Sequence, residues 1–344
     1  MTVSRQVFDV PLEPVAGGRF QPTGFPDIGA ARFQRPVRDG GKVTFVEALL
    51  VESTQSMANR LEAVGWNPGA ERPVEELTGL PYIRVLGAGD HRYLTSSRTE
   101  AHRLASAFVK DSTLDGTKMT DVIKERFGLR DDTPVAPRQI AAAVLALDPL
   151  CLLHGAFFAE NARVWPGQPR ITRAVTGFVE ALDVHPAHSG GVKRDAVRHS
   201  TGESTGGSGE GYGMVPFHRT EWSAREIVAS FVIDLAQINS YGLPDPAGEL
   251  LAALARWQIR TLLDGGLRLR TACDLAVVEN SDGSPITDRR GTPLPSQDEL
   301  SASLASLIAT CADQLGARGP LDVLWGGGQA KGTKRGAGKA AAGS

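Results

Sequence analysis

The sequence lacks the features that would mark a secreted, membrane-embedded or metal-dependent protein. Its three cysteines, Cys151, Cys273 and Cys311, are far apart and odd in number. That excludes a disulfide framework, and their apolar surroundings predict reduced, buried thiols. The most apolar stretch, Ile140 to Phe158, is interrupted by Asp148-Pro149 and His154 and cannot serve as a membrane span. The opening MTVSRQVFDVPLEP has no apolar core of the signal-peptide kind, so a cytoplasmic location is expected. HExxH, paired CxxC and the Gly-Lys-Ser/Thr ending of a phosphate loop are missing. His185, His188, Asp195 and His199 crowd one segment, but their spacing is not that of a metal site. No metal, cofactor or catalytic residue is expected. Charge is balanced as well: 37 Lys+Arg against 39 Asp+Glu leave a net −2. A nucleic-acid ligand would therefore need its cations gathered on one face.

The chain has 344 residues and 41% hydrophobic content, enough for a sizeable core. Residues Pro14 to Gly41, rich in Gly and Pro, predict an ordered loop. Val43 to Val51 reads as a buried strand, and a helix is expected from Ser53, with Met57, Leu61 and Val64 on one face. Ser97 and Glu100 have capping-box spacing and predict a helix carrying Leu104, Ala105, Phe108 and Val109. Helices are also expected over Lys118–Phe127, Pro137–Leu147 and Asp245–Leu263, and from a second capping box at Ser296 and Glu299. Strands are expected over Leu150–Phe158, Val175–Val184, Ile227–Ile238 and Leu267–Glu279. Between them, His185–Met214 is a long Gly-, Ser- and His-rich loop, and such loops are usually functional or disordered. From Trp325 the chain is a basic low-complexity tail. This order predicts an α+β protein, with a ferredoxin-like or RRM-like sheet carrying large insertions as a fitting plan.

Four segments can carry chemistry. In Glu52–Glu62 a strand hands over to a helix N-terminus, where unpaired backbone N–H groups favour an anion. Ser53, Thr54 and Ser56 add hydroxyls, Gln55 and Asn59 add amides one turn apart, and Arg60 follows Ser56 on the same face. A phosphate cradle and an ordinary capped helix both fit. Arg163, Arg170 and Arg173 form an acid-free basic run, either a phosphate-tracking groove or a solvated loop. Ser189–Asp195, with Lys193 and Arg194 after two glycines, can form an anion-binding nest. In Gly211–Arg219, Phe217, His218 and Arg219 end a Gly-rich arm able to wedge between bases.

The stretches RFQPTGFPDIGAARF, LLVESTQSMANRLEAVGW, DPLCLLHGAFF, RITRAVTGFVEALDV, AHSGGVKRD and GYGMVPFHRTEWSAREIVASFVIDLAQINSYGL together resemble one family. It is the RAMP-superfamily backbone subunit ("Cas-seven", Csb-type) of the type I-G (formerly I-U) CRISPR Cascade effector complex. The resemblance runs from Phe20 to Leu243; ESTQSMANRLE and VPFHRTEW are its specific blocks. It implies a modified RRM-like palm with inserted thumb and helical finger elements, spread over one domain of residues 1–324. The helical insertion falls at about 66–148, a Gly-rich thumb-like loop at about 185–217, and a basic disordered tail at 325–344. Within the loop, Thr201–Phe217 resembles the thumb, with 185–199 as the alternative.

The resemblance further implies a non-catalytic, crRNA-binding role. Copies pack head to tail along the guide RNA and leave bases open to pair with target DNA, beside other Cascade subunits and away from membranes. On that basis Ser53, Gln55, Ser56, Asn59 and Arg60 are expected at the phosphate-sugar backbone. Arg170, Arg173, Lys193 and Arg194 would line the groove, and Phe217, His218 and Arg219 would lie near a displaced base. A guide-RNA-processing endoribonuclease is the alternative function.

Overall fold

The computed structural model describes residues 3–25, 27–130, 132–159, 164–194, 214–278, 284–316 and 318–327. Its main sheet grows from four strands and two helices. Strand β1 is Arg5–Pro14; β2 (Arg32–Asp39) and β3 (Lys42–Glu52) form a hairpin; helix α1 is Thr54–Ala63. Strands β4 (Tyr82–Gly87) and β5 (Tyr93–Ser96) and helices α2 (Met119–Phe127) and α3 (Pro137–Leu147) follow. The two longest strands come next, β6 (Val175–Arg194) and β7 (Met214–Asp234), then helix α4 (Asp245–Asp264). Strands β8 (Leu267–Arg270) and β9 (Cys273–Val277), helix α5 (Gln297–Thr310) and strand β10 (Pro320–Trp325) complete the described chain.

The seven-stranded sheet has the order β8-β9-β1-β7-β6-β3-β2, and the pairs within it are antiparallel. Its central four, β9-β1-β7-β6, with α1 leading into β6 and α4 following β7, reproduce the β-α-β-β-α-β plan of ferredoxin-like folds. Hairpin β2–β3 extends one edge. Ile227, Ala229, Phe231 and Ile233 alternate along β7 as the buried set facing the helices, as the period of a strand requires. A second sheet, Thr117–Lys118, Thr113–Leu114, β10, β4 and β5, closes over residues expected to be a helical insertion. Residues 66–148 thus hold strands as well as helices. Among the described residues no helix is long and apolar enough to cross a membrane, and all three cysteines are buried and free.

Several expectations need correction. The stretch 14–41 is not loop throughout, because Arg32–Asp39 pairs with β3; Pro36 is tolerated because β2 is an edge strand. Ser97 and Glu100 make no capping box. The Ser97 hydroxyl donates to Asp148 at 2.6 Å, and the Glu100 carboxylate accepts from Thr95 and Ser106. Arg103, with φ 53°, breaks the run, leaving a 3-10 turn and the short helix Ala107–Lys110.

Leu150–His154 is a helix instead of a strand: its first N–H is held by Asp148, and its apolar run has no period to separate the two. The expected loop 185–214 is instead the far half of hairpin β6–β7, paired as far as Arg194 and Met214; residues 195–213 lie outside the described residues. The strand expected over Ile227–Ile238 stops at Asp234, whose side chain caps the helix Leu235–Ser240. In place of one strand over Leu267–Glu279, Leu267–Val277 folds as the hairpin β8–β9, and Glu279 lies outside the described residues.

Helix α1 packs so closely on β6 that Gly177 has no space for a methyl group. A Cβ there would lie 2.7 Å from the Phe231 ring and 2.9 Å from the Met57 side chain. Gly177→Ala is expected to lower stability by roughly 1–3 kcal/mol through overpacking. Urea unfolding measures this, and an unchanged midpoint would mean that α1 yields freely.

Candidate functional site

The site begins where β3 ends. Pairing with β6 shifts register at Val179/Glu180, so Glu52 lies opposite Val179 while Leu50 lies opposite Glu180. The bulge leaves both Val51 and Glu52 inside. An unpaired carboxylate that is 1% exposed would be prohibitively costly. Glu52 is instead surrounded by donors. Arg60 Nε donates to its Oε1 at 2.6 Å, the Ser56 hydroxyl donates to the same oxygen, and Arg270 donates to Oε2.

The two arginines also reach backbone. Arg60 donates to the carbonyls of Arg268 and Leu269, and Arg270 to those of Gln21 (2.8 Å) and Val51 (3.0 Å). Gln21 in turn accepts from Arg219 Nε at 3.3 Å. A continuous set of contacts thus runs from α1 through β8 to the long hairpin.

On α1 the polar residues divide into two groups. Ser53 is the N-cap, its hydroxyl accepting from the Ser56 N–H at 3.3 Å, and Ser56 and Arg60 hold Glu52. Gln55 and Asn59 stay exposed one turn apart and face outward. Arg173 approaches the start of the helix, donating to the Thr54 carbonyl at 3.3 Å and to the His154 carbonyl at 3.2 Å. Burial, followed by the neighbouring Arg103, pulls its pKa below the usual guanidinium value. Arg170 is exposed and lies over the Phe157 ring, 4.2 Å from its centroid. Together with His102, Arg103 and His154 these residues line a cleft of about 520 Å³.

Beneath the cleft lie paired charges. Arg103 makes a two-pronged ion pair with Glu62, at 2.5 and 2.6 Å, and also donates to the Gly155 carbonyl. Arg98 pairs with Asp148 at 2.9 Å, both nearly fully buried. Burial raises the Asp148 pKa despite Arg98. Next to them His154 Nε2 lies 3.0 Å from Gln258 Oε1. Gln258 Nε2 donates to the Leu61 carbonyl, so Oε1 is the acceptor and the His154 proton belongs on Nε2. Its Nδ1 is a buried acceptor without a partner among the described residues.

The expected residues therefore fall into two sets joined by Glu52, Arg270 and Gln21. Ser53, Gln55, Ser56, Asn59 and Arg60 cap or lie on α1, Arg173 reaches its Thr54 carbonyl, and Arg170 shares the cleft with Arg173. His218 and Arg219 sit on the hairpin, where His218 stacks on His188 at 5.6 Å and Arg219 also pairs with Glu221 at 3.4 Å. Lys193, Arg194 and Phe217 are strand positions opposite Val215, Met214 and Gly191. Arg163, Asp195 and His199 lie outside the described residues. Sequence reasoning missed Arg270, Arg103, Gln21 and Phe157. A β-strand Arg-Leu-Arg pattern at 268–270 was the available signal for the first; the others carry none.

Two predictions follow from the buried charges. Replacing Arg103 by Ala leaves Glu62 unpaired and is expected to cost roughly 3–5 kcal/mol of stability, read by urea denaturation. Burial, reinforced by Arg103 and opposed by Glu62, lowers the His154 pKa below 6.5. Below pH 6.5 the unfolded chain then binds a proton that the folded chain does not. Stability should fall as pH drops from 6.5 toward the folded value, with a slope of at most about 1.4 kcal/mol per pH unit. His154→Gln should remove that component; an identical pH profile in the variant would refute it.

No curated protein matches the chain. Among solved structures it is similar to a chain described as "CRISPR RNA-guided surveillance complex, pre-nicking". The alignment has 10% identity and TM-score 0.30 over 83% of this chain and 74% of that one. At that score the likeness is loose, and the fold assignment rests on the strand order above. A family model described as CRISPR-associated protein GSU0053 matches residues 7–186, just over half of the sequence. The matched region contains β1, the β2–β3 hairpin, α1 and most of the cleft, and the chain belongs to this CRISPR-associated family.

Proposed function

We propose that the chain is a non-catalytic, crRNA-binding backbone subunit of a type I Cascade effector complex, of the RAMP superfamily and the I-G (Csb-type) subtype. Copies assemble head to tail as a filament along the guide RNA, beside other subunits, and hold it open for pairing with target DNA. Such packing is heterologous and need not close into a ring. The observation that carries the reading is a cleft lined by Arg170 and Arg173 and, among the described residues, by no acid, which Arg173 ties to the head of α1 through the Thr54 carbonyl, in a member of a CRISPR-associated family. Cations gathered there offset a whole-chain charge of −2 locally, which is what a phosphate ligand senses. Gln55 and the arginines suit backbone contacts, appropriate to a guide whose sequence varies. Target cleavage belongs to other subunits in this reading.

Within it the two arginine classes behave differently. Among the described residues Arg170 holds no acid, so Arg170→Ala should leave folding intact. It should weaken RNA binding about equally across sequences and reduce the log–log salt slope by roughly 0.7. Arg60 holds the buried Glu52, so Arg60→Ala should lower stability first; equal stability of the two variants would contradict the division. The functional test is a nuclease footprint on guide RNA beside a scrambled RNA. Regularly spaced protection on both supports a tiling subunit. Cleavage at one site would make the chain a processing endoribonuclease, and absence of salt-sensitive binding would leave only a protein scaffold.

A further inference from the structure

A second, smaller cavity adjoins the cleft. It measures about 350 Å³, at the low end of the roughly 300–1,000 Å³ of ligand pockets. Ala101 lines both cavities, which lie on either side of the turn carrying Arg103. Asn59, Ala63, Trp66, Pro68 and Thr99 form much of its wall. Glu62, Arg98, Glu100 and Ala101 complete it, so the lining is one aromatic ring, small apolar groups, polar edges and charged groups already engaged in the fold, Glu62 with Arg103 and Arg98 with Asp148.

The ring is held in a fixed orientation. Trp66 follows α1 directly, in a short strand pair with Pro73. Tyr82 meets its indole edge-on, with centroids 5.9 Å apart, and Tyr93 lies nearly parallel to it at 6.1 Å and 27°. The tyrosines are themselves anchored: Arg98 lies over the Tyr82 ring, and the Tyr93 hydroxyl is 3.3 Å from that of Thr99. The indole is only partly buried. Both acids of the lining are occupied, Glu62 by Arg103 and Glu100 by the Thr95 and Ser106 hydroxyls. Asn59, on the exposed face of α1, brings an amide able both to donate and to accept.

We propose that this pocket is a nucleobase subsite, in which one base of single-stranded RNA stacks on Trp66 while Asn59 hydrogen-bonds its edge. The proposal rests on the RNA-binding reading above and adds to it a base-holding position beside the arginine cleft. A nucleobase fits because every base offers a π-face to an aromatic platform and a polar edge to an amide. The occupant is continuous with the same strand: its phosphates lie along Arg170 and Arg173 and its base turns in past Ala101.

Tryptophan fluorescence tests this: Trp165, Trp222 and Trp257 are buried, the other partly exposed indole, Trp325, lies on β10 against Phe108, and the difference between wild type and Trp66→Phe isolates Trp66. Titration with a short single-stranded RNA should quench wild type, and Trp66→Phe should lose most of the quench. Trp66→Ala should bind the RNA roughly 5- to 150-fold more weakly. Asn59→Ala, at an exposed helix position where folding is not at stake, should bind it roughly 2- to 12-fold more weakly. If RNA binds with normal salt sensitivity but the quench persists in Trp66→Phe and Asn59→Ala binds like wild type, the pocket is overturned while the RNA reading stands. If no RNA binds, adenosine 5′-monophosphate decides. A quench lost in Trp66→Phe keeps the base site and removes the RNA reading, and no quench removes both.

Discussion

Much of this architecture hangs on one buried carboxylate. Glu52 ends β3 and begins the turn into α1, and it is satisfied by donors from distant parts of the chain. Ser56 and Arg60 come from the helix, and Arg270 comes from a strand 218 positions later. In a low-dielectric setting such a group is stable only when its lone pairs are all spoken for. The backbone carbonyls that Arg60 and Arg270 also reach bind the last hairpin to the first helix. Remove the carboxylate and two guanidinium groups would crowd each other without a counter-charge.

This arrangement explains how a cleft lined by arginines and, among the described residues, by no acid exists on a chain with balanced charge. The acids of the region are turned inward, Glu52 against Arg60 and Arg270, Glu62 against Arg103, and Asp148 against Arg98. Arg170 and the amides of Gln55 and Asn59 remain on the outside. Composition averages over the inward acids and the outward cations, whereas a ligand meets only the latter.

Local chemistry was legible wherever it was local. Ser53 as N-cap, the Ser296–Glu299 capping box, Pro137 at the head of α3 and the alternation of β6 all follow from neighbours within a few positions. β1 carried its signal too, since Phe8, Val10 and Leu12 alternate, but Pro11 and Pro14 obscured it; both are accommodated where β1 meets its neighbours. Leu150–His154 was illegible because an unbroken apolar run has no period to read. The Ser97–Glu100 spacing misled because Asp148, 51 residues away, claims the serine hydroxyl. The role of Arg60 as a structural clamp depends on Glu52, eight positions away, but also on Arg268 and Leu269, which no window around α1 contains.

The second sheet has a consequence for the order of assembly. Strand β10 pairs in parallel with β4, Pro320 opposite Tyr82, and Arg84 grips Asp322 with two bonds of 2.7 Å across 238 residues. On a ribosome, residues 82–87 emerge long before their partner exists, and that edge stays open through the synthesis of everything between. Closing so long a loop is slow and is rewarded only once its contacts form. The middle of the chain is therefore sealed by a far later strand, and a nascent protein stopped short of residue 320 would display the open edge of β4, paired on its other side with β5, to whatever it meets.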